Sequence, residues 1–142
     1  GIKKVMLISM AAWVLRFGLL AYGNPADGLW MIIVSCIVYG MAFDFFNVSG
    51  SLFIEQQIDA KARSRAQGLF TMMVNGVGAI FGSLGSGYLI EHYFTTRGVN
   101  GSELRHWPEI WSAFTVYALI VTVLFALFFK SPKNQNNLQT AE

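Results

Sequence analysis

Four long blocks of apolar residues alternate with short polar segments along the chain. The blocks span residues 5–23, 29–54, 67–90 and 110–129, and all three prolines lie outside them. Each block reaches or exceeds the roughly 18–20 residues that a helix needs to cross the hydrocarbon core of a bilayer. The pattern therefore predicts four transmembrane helices in up-down-up-down order, at about 5–23, 29–54, 67–90 and 110–129.

The polar segments between the blocks are residues 24–28, 55–66 and 91–109, and we expect them to be loops. Residues 131–142 are also polar, and we expect a disordered tail there. Only 13% of the residues are charged, whereas soluble domains contain about 25%. The predicted fold class is therefore all-α and integral to the membrane, with one helical region over residues 1–130.

Lysine and arginine are distributed unevenly between the two ends of the predicted helices. The basic residues at one end are Lys3, Lys4, Lys61, Arg63, Arg65, Lys130 and Lys133, and those at the other end are Arg97 and Arg105. Cytoplasmic loops of membrane proteins carry an excess of lysine and arginine. We therefore expect both termini to be cytoplasmic.

Asp44 is the only charged residue in the block 29–54. Ionising a carboxylate inside a bilayer costs several kcal/mol unless a partner or a cavity compensates, so such residues usually have a function. The structural alternatives are an ion pair with Arg16 and a buried hydrogen bond to a helix outside this chain. At about 1.5 Å per residue, Arg16 lies about 9 Å and Asp44 about 22 Å below the same surface, which argues against the ion pair.

One side of the second predicted helix combines aromatic and polar side chains. At about 100° per residue, Phe43 and Asn47 lie within about 80° of Tyr39, and Asp44 lies about 140° from Tyr39. Rings offer flat surfaces to a ring-shaped ligand, and amides offer hydrogen bonds at its edge. Asn75 lies at a similar depth in the third block and is either a site contact or an interhelical hydrogen bond. We interpret Tyr39, Phe43, Asn47 and Asn75 as a small-molecule site.

Small residues recur every four positions in the third block, at Gly78, Gly82 and Ser86. This spacing lets a second helix approach the backbone closely, so we expect a packed helix there. A loosely packed, glycine-rich membrane helix is the alternative interpretation.

Other classes of function lack the residues they need. The chain shows no nucleophile–base pairing, no phosphate loop and no histidine or cysteine at metal-ligand spacing. Its charge pattern offers no nucleic-acid surface. We expect no enzyme activity, no metal, no cofactor and no nucleic-acid partner.

Several segments resemble the nucleoside:proton symporters of the major facilitator superfamily. Residues 39–53, YGMAFDFFNVSGSLF, are similar to the tenth membrane helix of that family. Residues 66–70 and the pair Asn75-Gly76 resemble the eleventh helix, and residues 1–4 resemble the end of the loop before the ninth. The resemblance covers all of the chain except its tail. It implies that the chain is helices nine to twelve of a twelve-helix protein of the bacterial inner membrane.

The resemblance further implies proton-driven nucleoside uptake by alternating access, with nucleoside, protons, the bilayer and the remaining helices as partners. The family's pocket aromatics map onto Tyr39 and Phe43, and its acidic position maps onto Asp44, for proton coupling or pocket organisation. Two alternatives stay open. One is a proton-coupled transporter of a sugar or another small metabolite. The other is a small membrane scaffold protein in which the glycine and serine stripe mediates association.

Overall fold

The computed structural model describes residues 1–130, and the predicted tail at 131–142 lies outside the described residues. The helices are α1 (Ile2–Tyr22), α2 (Leu29–Gln57), α3 (Ala60–Thr71), α4 (Gly78–Tyr93) and α5 (Trp107–Phe128). A π-helical turn, Met72–Val77, joins α3 to α4, and the strands β1 (Thr95–Arg97) and β2 (Glu103–Arg105) form an antiparallel hairpin.

The four predicted membrane spans are confirmed. Within residues 1–130, four helices are long and apolar enough to cross a bilayer: α1, α2, the continuous segment Ala60–Tyr93, and α5. The helical structure extends beyond the predicted bounds in the first three spans, and α5 begins three residues earlier than predicted. Hydropathy detects only the part of a helix that lies in apolar surroundings, so polar helical turns at the ends escape it.

The expected loop at 55–66 is mostly helical, and that prediction was wrong. Only Ile58 and Asp59 separate α2 from α3. Alanine, lysine and arginine favour helix, and Asp59 places a carboxylate at the N-terminus of α3, where the helix dipole stabilises it. A salt bridge of 3.5 Å between Arg63 and Glu55 joins the two helices across this corner.

The segment 91–109 is likewise more ordered than a loop. Thr95 pairs with Arg105 at the base of the hairpin. At its tip the Gly98 N–H donates to the Ser102 carbonyl at 2.9 Å, and Gly101 adopts a φ of +74°, which glycine tolerates best. Charged side chains surround the hairpin, including Arg97 at 3.5 Å from Glu91. The hairpin thus connects the end of α4 to the start of α5.

The closest helix packing lies between α1 and α2, and small residues make it possible. Ser9 of α1 and Ser35 and Ala42 of α2 are buried almost completely. The Ser9 Oγ donates a hydrogen bond of 2.6 Å to the Ala42 carbonyl. In a bilayer such close backbone contact and interhelical hydrogen bonding replace the hydrophobic effect as the force that joins helices.

A neighbouring face of α1 packs on α5, so α1 contacts both α2 and α5. Phe17 stacks on Trp111 with ring centroids 6.1 Å apart and an interplanar angle of 16°. At the other end Lys3 Nζ donates to the Ala126 carbonyl at 2.8 Å, which satisfies one of the free carbonyls in the last turn of α5. The two helices are therefore antiparallel.

Within residues 1–130 the third span packs at its α3 end, and the close packing expected of its glycine stripe stays a prediction. At the α3 end Gln67 Nε2 donates to the Ser51 carbonyl at 3.0 Å, and the Phe70 ring lies directly against Gly50. Farther along, a Cβ built on Gly82 or Gly87 would meet nothing within 4 Å. A cavity of about 290 Å³ separates α4 from α5. Within residues 1–130 the small-residue stripe has no helix against it.

We expect Ser9→Leu to separate α1 from α2, because the buried site has no room for a branched side chain. Overpacking of this kind costs about 1–3 kcal/mol. The matched control, Ser9→Ala, removes only the hydrogen bond and should cost about 0.6 kcal/mol. Thermal unfolding of the detergent-solubilised full-length protein measures both, and equal melting temperatures for the two variants would contradict the close packing.

Candidate functional site

A cavity of about 400 Å³ opens between the spans near the middle of α2. Three membrane spans and the π-helical turn contribute to its wall. The lining residues are Met10, Trp13 and Phe17 of α1; Tyr39, Phe43, Phe46 and Asn47 of α2; Val74 and Asn75 of the turn; and Tyr117, Ala118, Val121 and Thr122 of α5. Aromatic and aliphatic groups dominate, with a few amide and hydroxyl groups, as in small-molecule sites.

The structure brings all four residues predicted to bind a ligand to this one cavity. Tyr39, Phe43 and Asn47 are successive i, i+4 positions, so they follow one face of α2. Asn75 reaches the same cavity from the third span. The four side chains come together through the packing of the helices. Residues of α1 and α5 supply the remaining walls of the cavity.

A widened helical turn positions Asn75. The Gly78 N–H donates to the Met73 carbonyl, which is the i to i−5 bond of a π-helix. A Cβ at position 78 would stand 3.0 Å from that carbonyl oxygen, so glycine permits the close approach. The sequence pattern predicted an uninterrupted regular helix here. The structure instead has a π-helical turn at this position. Such turns often occur at functional sites.

Aromatic rings form a continuous surface along the cavity. The rings of Trp13 and Tyr39 are in T-shaped contact, with centroids 5.2 Å apart and an interplanar angle of 78°, and the Phe43 ring centroid lies 6.0 Å from that of Tyr39. Tyr39 and Phe43 remain more than one-third exposed. Their free surfaces can stack on a planar ligand, because offset and edge-to-face contacts are favourable for π-systems.

The cavity has few polar groups, and some of them already form hydrogen bonds to the backbone of their own helix. Asn47 Nδ2 donates to the Phe43 carbonyl at 2.8 Å, which orients the side chain and leaves its Oδ1 as an acceptor. Thr122 Oγ1 donates to the Ala118 carbonyl at 2.7 Å. Asn75 brings a second amide. The site can therefore offer hydrogen bonds to the edge of a ligand whose flat faces lie on the rings.

Asp44 does not join these residues in the cavity. It lies on an exposed face of α2. The ion pairs among residues 1–130 lie in the α2–α3 corner and in the hairpin, and none includes Asp44. The Arg16–Asp44 pair that the depth argument disfavoured is thus absent from the part of the chain that the structure describes.

Arg16 instead lies among aromatic rings beside the cavity. Its guanidinium carbon is 4.0 Å from the Tyr39 ring centroid, 5.2 Å from Trp13 and 5.7 Å from Phe17. These distances are those of cation–π contacts, for which about 6 Å is the limit.

Reasoning from the sequence missed the walls that α1 and α5 contribute. Met10, Trp13 and Phe17 are spaced i, i+3, i+7, and Tyr117 and Val121 are spaced i, i+4, so each set shares one helix face. That spacing could have marked the two faces. It could not have shown that they turn towards Tyr39, because nearly all neighbouring positions in these helices are apolar too.

An aromatic, sparsely polar cavity between membrane spans is the kind of site in which membrane transport proteins hold small molecules. The sequence profile described as "Nucleoside H+ symporter" matches residues 1–134. The chain therefore belongs to the nucleoside H+ symporter family, which is a family of integral membrane transporters.

Relatives of known name support this assignment. The chain is 53% identical over 131 residues to the xanthosine permease of Escherichia coli K12, and 45% identical over 131 residues to the nucleoside permease NupG of the same organism. Each match covers 92% of this chain but 30% of the relative. The crystal structure of the nucleoside transporter NupG matches with a TM-score of 0.81 and 44% identity, over 93% of this chain and 31% of NupG. The chain thus spans about a third of the length of these relatives.

If the cavity holds water, a cysteine placed in it should react with a membrane-impermeant thiol reagent, because the reactive thiolate forms only where water reaches it. In the full-length protein with Cys36→Ser, we expect Asn47→Cys to be modified and its neighbour Val48→Cys, outside the cavity, to be spared. Mass spectrometry after labelling of intact cells and of inverted vesicles measures both. Equal modification of the two cysteines would contradict the cavity.

Proposed function

We propose that this chain is the C-terminal third of a proton-coupled transporter that takes up nucleosides across the bacterial inner membrane. One observation carries the proposal: the aromatic residues Tyr39 and Phe43 and the amides Asn47 and Asn75 line a single cavity. Membership of the nucleoside H+ symporter family supports the substrate class and the coupling ion. The names of the relatives make nucleosides, xanthosine included, the first substrates to test.

The nucleobase stacks on the aromatic surface of the cavity in this mechanism. Tyr39 and Phe43 offer their exposed faces, and base–aromatic stacking contributes about 1–3 kcal/mol per base. Asn47 Oδ1 accepts a hydrogen bond from a base or ribose donor. The Asn75 amide can both donate and accept at the edge of the ligand.

Asp44 serves proton coupling or pocket organisation in this proposal. An unpaired carboxylate in a membrane span is costly when ionised and cheap when protonated, so its charge responds to the presence of a partner. Asp44 is exposed on the four-span segment and has no ionic partner among residues 1–130. The remaining helices of the transporter, helices one to eight, would supply its surroundings and the second lobe that alternating access requires.

The orientation of the chain in the membrane follows from the uneven distribution of its lysine and arginine residues. Both termini and the α2–α3 corner with Lys61, Arg63 and Arg65 face the cytoplasm. The hairpin of β1 and β2 faces the opposite side. Tyr39, near the middle of α2, then lies at the depth where transporters of this type hold their substrates.

Cells that make the full-length protein should accumulate labelled xanthosine, adenosine or uridine, and a protonophore should abolish the accumulation. Asp44→Asn should keep counterflow exchange of nucleoside but lose uphill accumulation, because the amide cannot take up and release a proton. Uptake assays in a strain without endogenous nucleoside transporters measure both. Accumulation that survives the protonophore, or inhibition by sugars and not by nucleosides, would contradict the proposal.

Phe43→Ala should raise the KM for nucleoside uptake about tenfold, because it removes one stacking surface worth about 1.4 kcal/mol. Phe45→Ala is the matched control, since Phe45 is an aromatic residue of the same helix that does not line the cavity. KM from initial rates, at equal amounts of protein in the membrane, compares the two. A similar KM for both variants would remove Phe43 from the binding site.

A further inference from the structure

We propose that Arg16 is a positioning residue that holds the Tyr39 ring in the orientation in which it receives the nucleobase. This inference rests on the proposed function, because it concerns the same cavity. Arg16 does not line that cavity, whereas Tyr39 does. Arg16 therefore acts on the ligand through Tyr39.

The first argument is the environment of the Arg16 charge. The ion pairs within residues 1–130 do not include Arg16, and its Nε is shielded from solvent without a hydrogen-bond partner there. A cation in a membrane span needs compensation. In the described part of the chain the aromatic faces provide it, and the ring of Tyr39 is the nearest, at 4.0 Å.

The second argument is the way the Tyr39 ring is held. The guanidinium lies over one of its faces, and the rings of Trp13 and Tyr39 are in T-shaped contact with an interplanar angle of 78°. Trp13 and Arg16 are three residues apart on α1, so one helix face supplies both contacts. The Tyr39 side chain also lines the cavity. Two contacts from a rigid neighbouring helix leave the ring less freedom to rotate when the site is empty, which lowers the cost of ordering it on binding.

The third argument is the planar shape of the guanidinium. Arginine stacks on an aromatic face over its whole plane, whereas lysine is a compact and strongly hydrated point charge. An arginine that served only to anchor α1 near the membrane surface could be replaced by lysine, since both side chains extend towards the headgroups. A positioning role requires the flat group itself.

The experiment measures KM and maximal rate of nucleoside uptake by the full-length protein for Arg16→Met and Arg16→Lys. We expect Arg16→Met to raise KM about fivefold or more, with a maximal rate within about twofold of the parent. Arg16→Lys should fall between Arg16→Met and the parent, because it keeps the charge and loses the stacking. Melting temperature and the amount of protein in the membrane control for folding.

A double-mutant cycle separates positioning from a general structural role. In a Tyr39→Phe background, which keeps the ring, Arg16→Met should again raise KM. In a Tyr39→Leu background, which has no ring, the same substitution should change KM less than about twofold. An unchanged KM for Arg16→Met in the parent, or an equal rise in both backgrounds, overturns the inference while nucleoside uptake by the parent stands. Absence of nucleoside uptake by the parent itself overturns the proposed function and this inference together.

Discussion

The close contact between α1 and α2 is the constraint on which the rest of the structure depends. Ser9 and Ala42 are both fully buried, and one hydrogen bond joins them. Where the helices carry such small residues their backbones approach closely, and where they carry Trp13 and Tyr39 large rings must fit between them. α1 and α2 are therefore in direct contact at the small residues, and the cavity lies between them at the aromatic residues.

The cavity is a consequence of that alternation. α5 contacts α1 through the rings of Phe17 and Trp111, and it contributes Tyr117 to the cavity wall. Rings that fill the core of a soluble protein here leave space among them, and two amides reach into it. The arrangement suits a flat ligand with a polar edge, which is the chemistry of the proposed nucleobase contact. Arg16 belongs to the same arrangement, since within residues 1–130 it forms no ion pair and its guanidinium lies near three aromatic rings.

The third span behaves differently from the other three. α3 is joined to α2 by Gln67 and by the contact of Phe70 with Gly50, whereas α4 lies apart from α5. The π turn Met72–Val77 lies between these two parts. Asn75 sits in that turn, so the position of one cavity amide depends on the segment where a packed half of the span gives way to an unpacked half. A change in the angle between α3 and α4 would therefore move Asn75, which lines the cavity.

The sequence by itself determined the four spans, the order in which they cross and the chemistry of the α2 face with Tyr39, Phe43 and Asn47. The physical reason is that a bilayer requires about 20 apolar residues per span, and helical periodicity places i, i+4 residues together. Only the tertiary structure decided that α1 supplies Trp13 opposite Tyr39, that Arg16 lies on the Tyr39 ring, and that Asp44 faces away from the cavity. Rotation of a helix about its axis depends on packing with its neighbours, and uniformly apolar helices carry no pattern that reveals it.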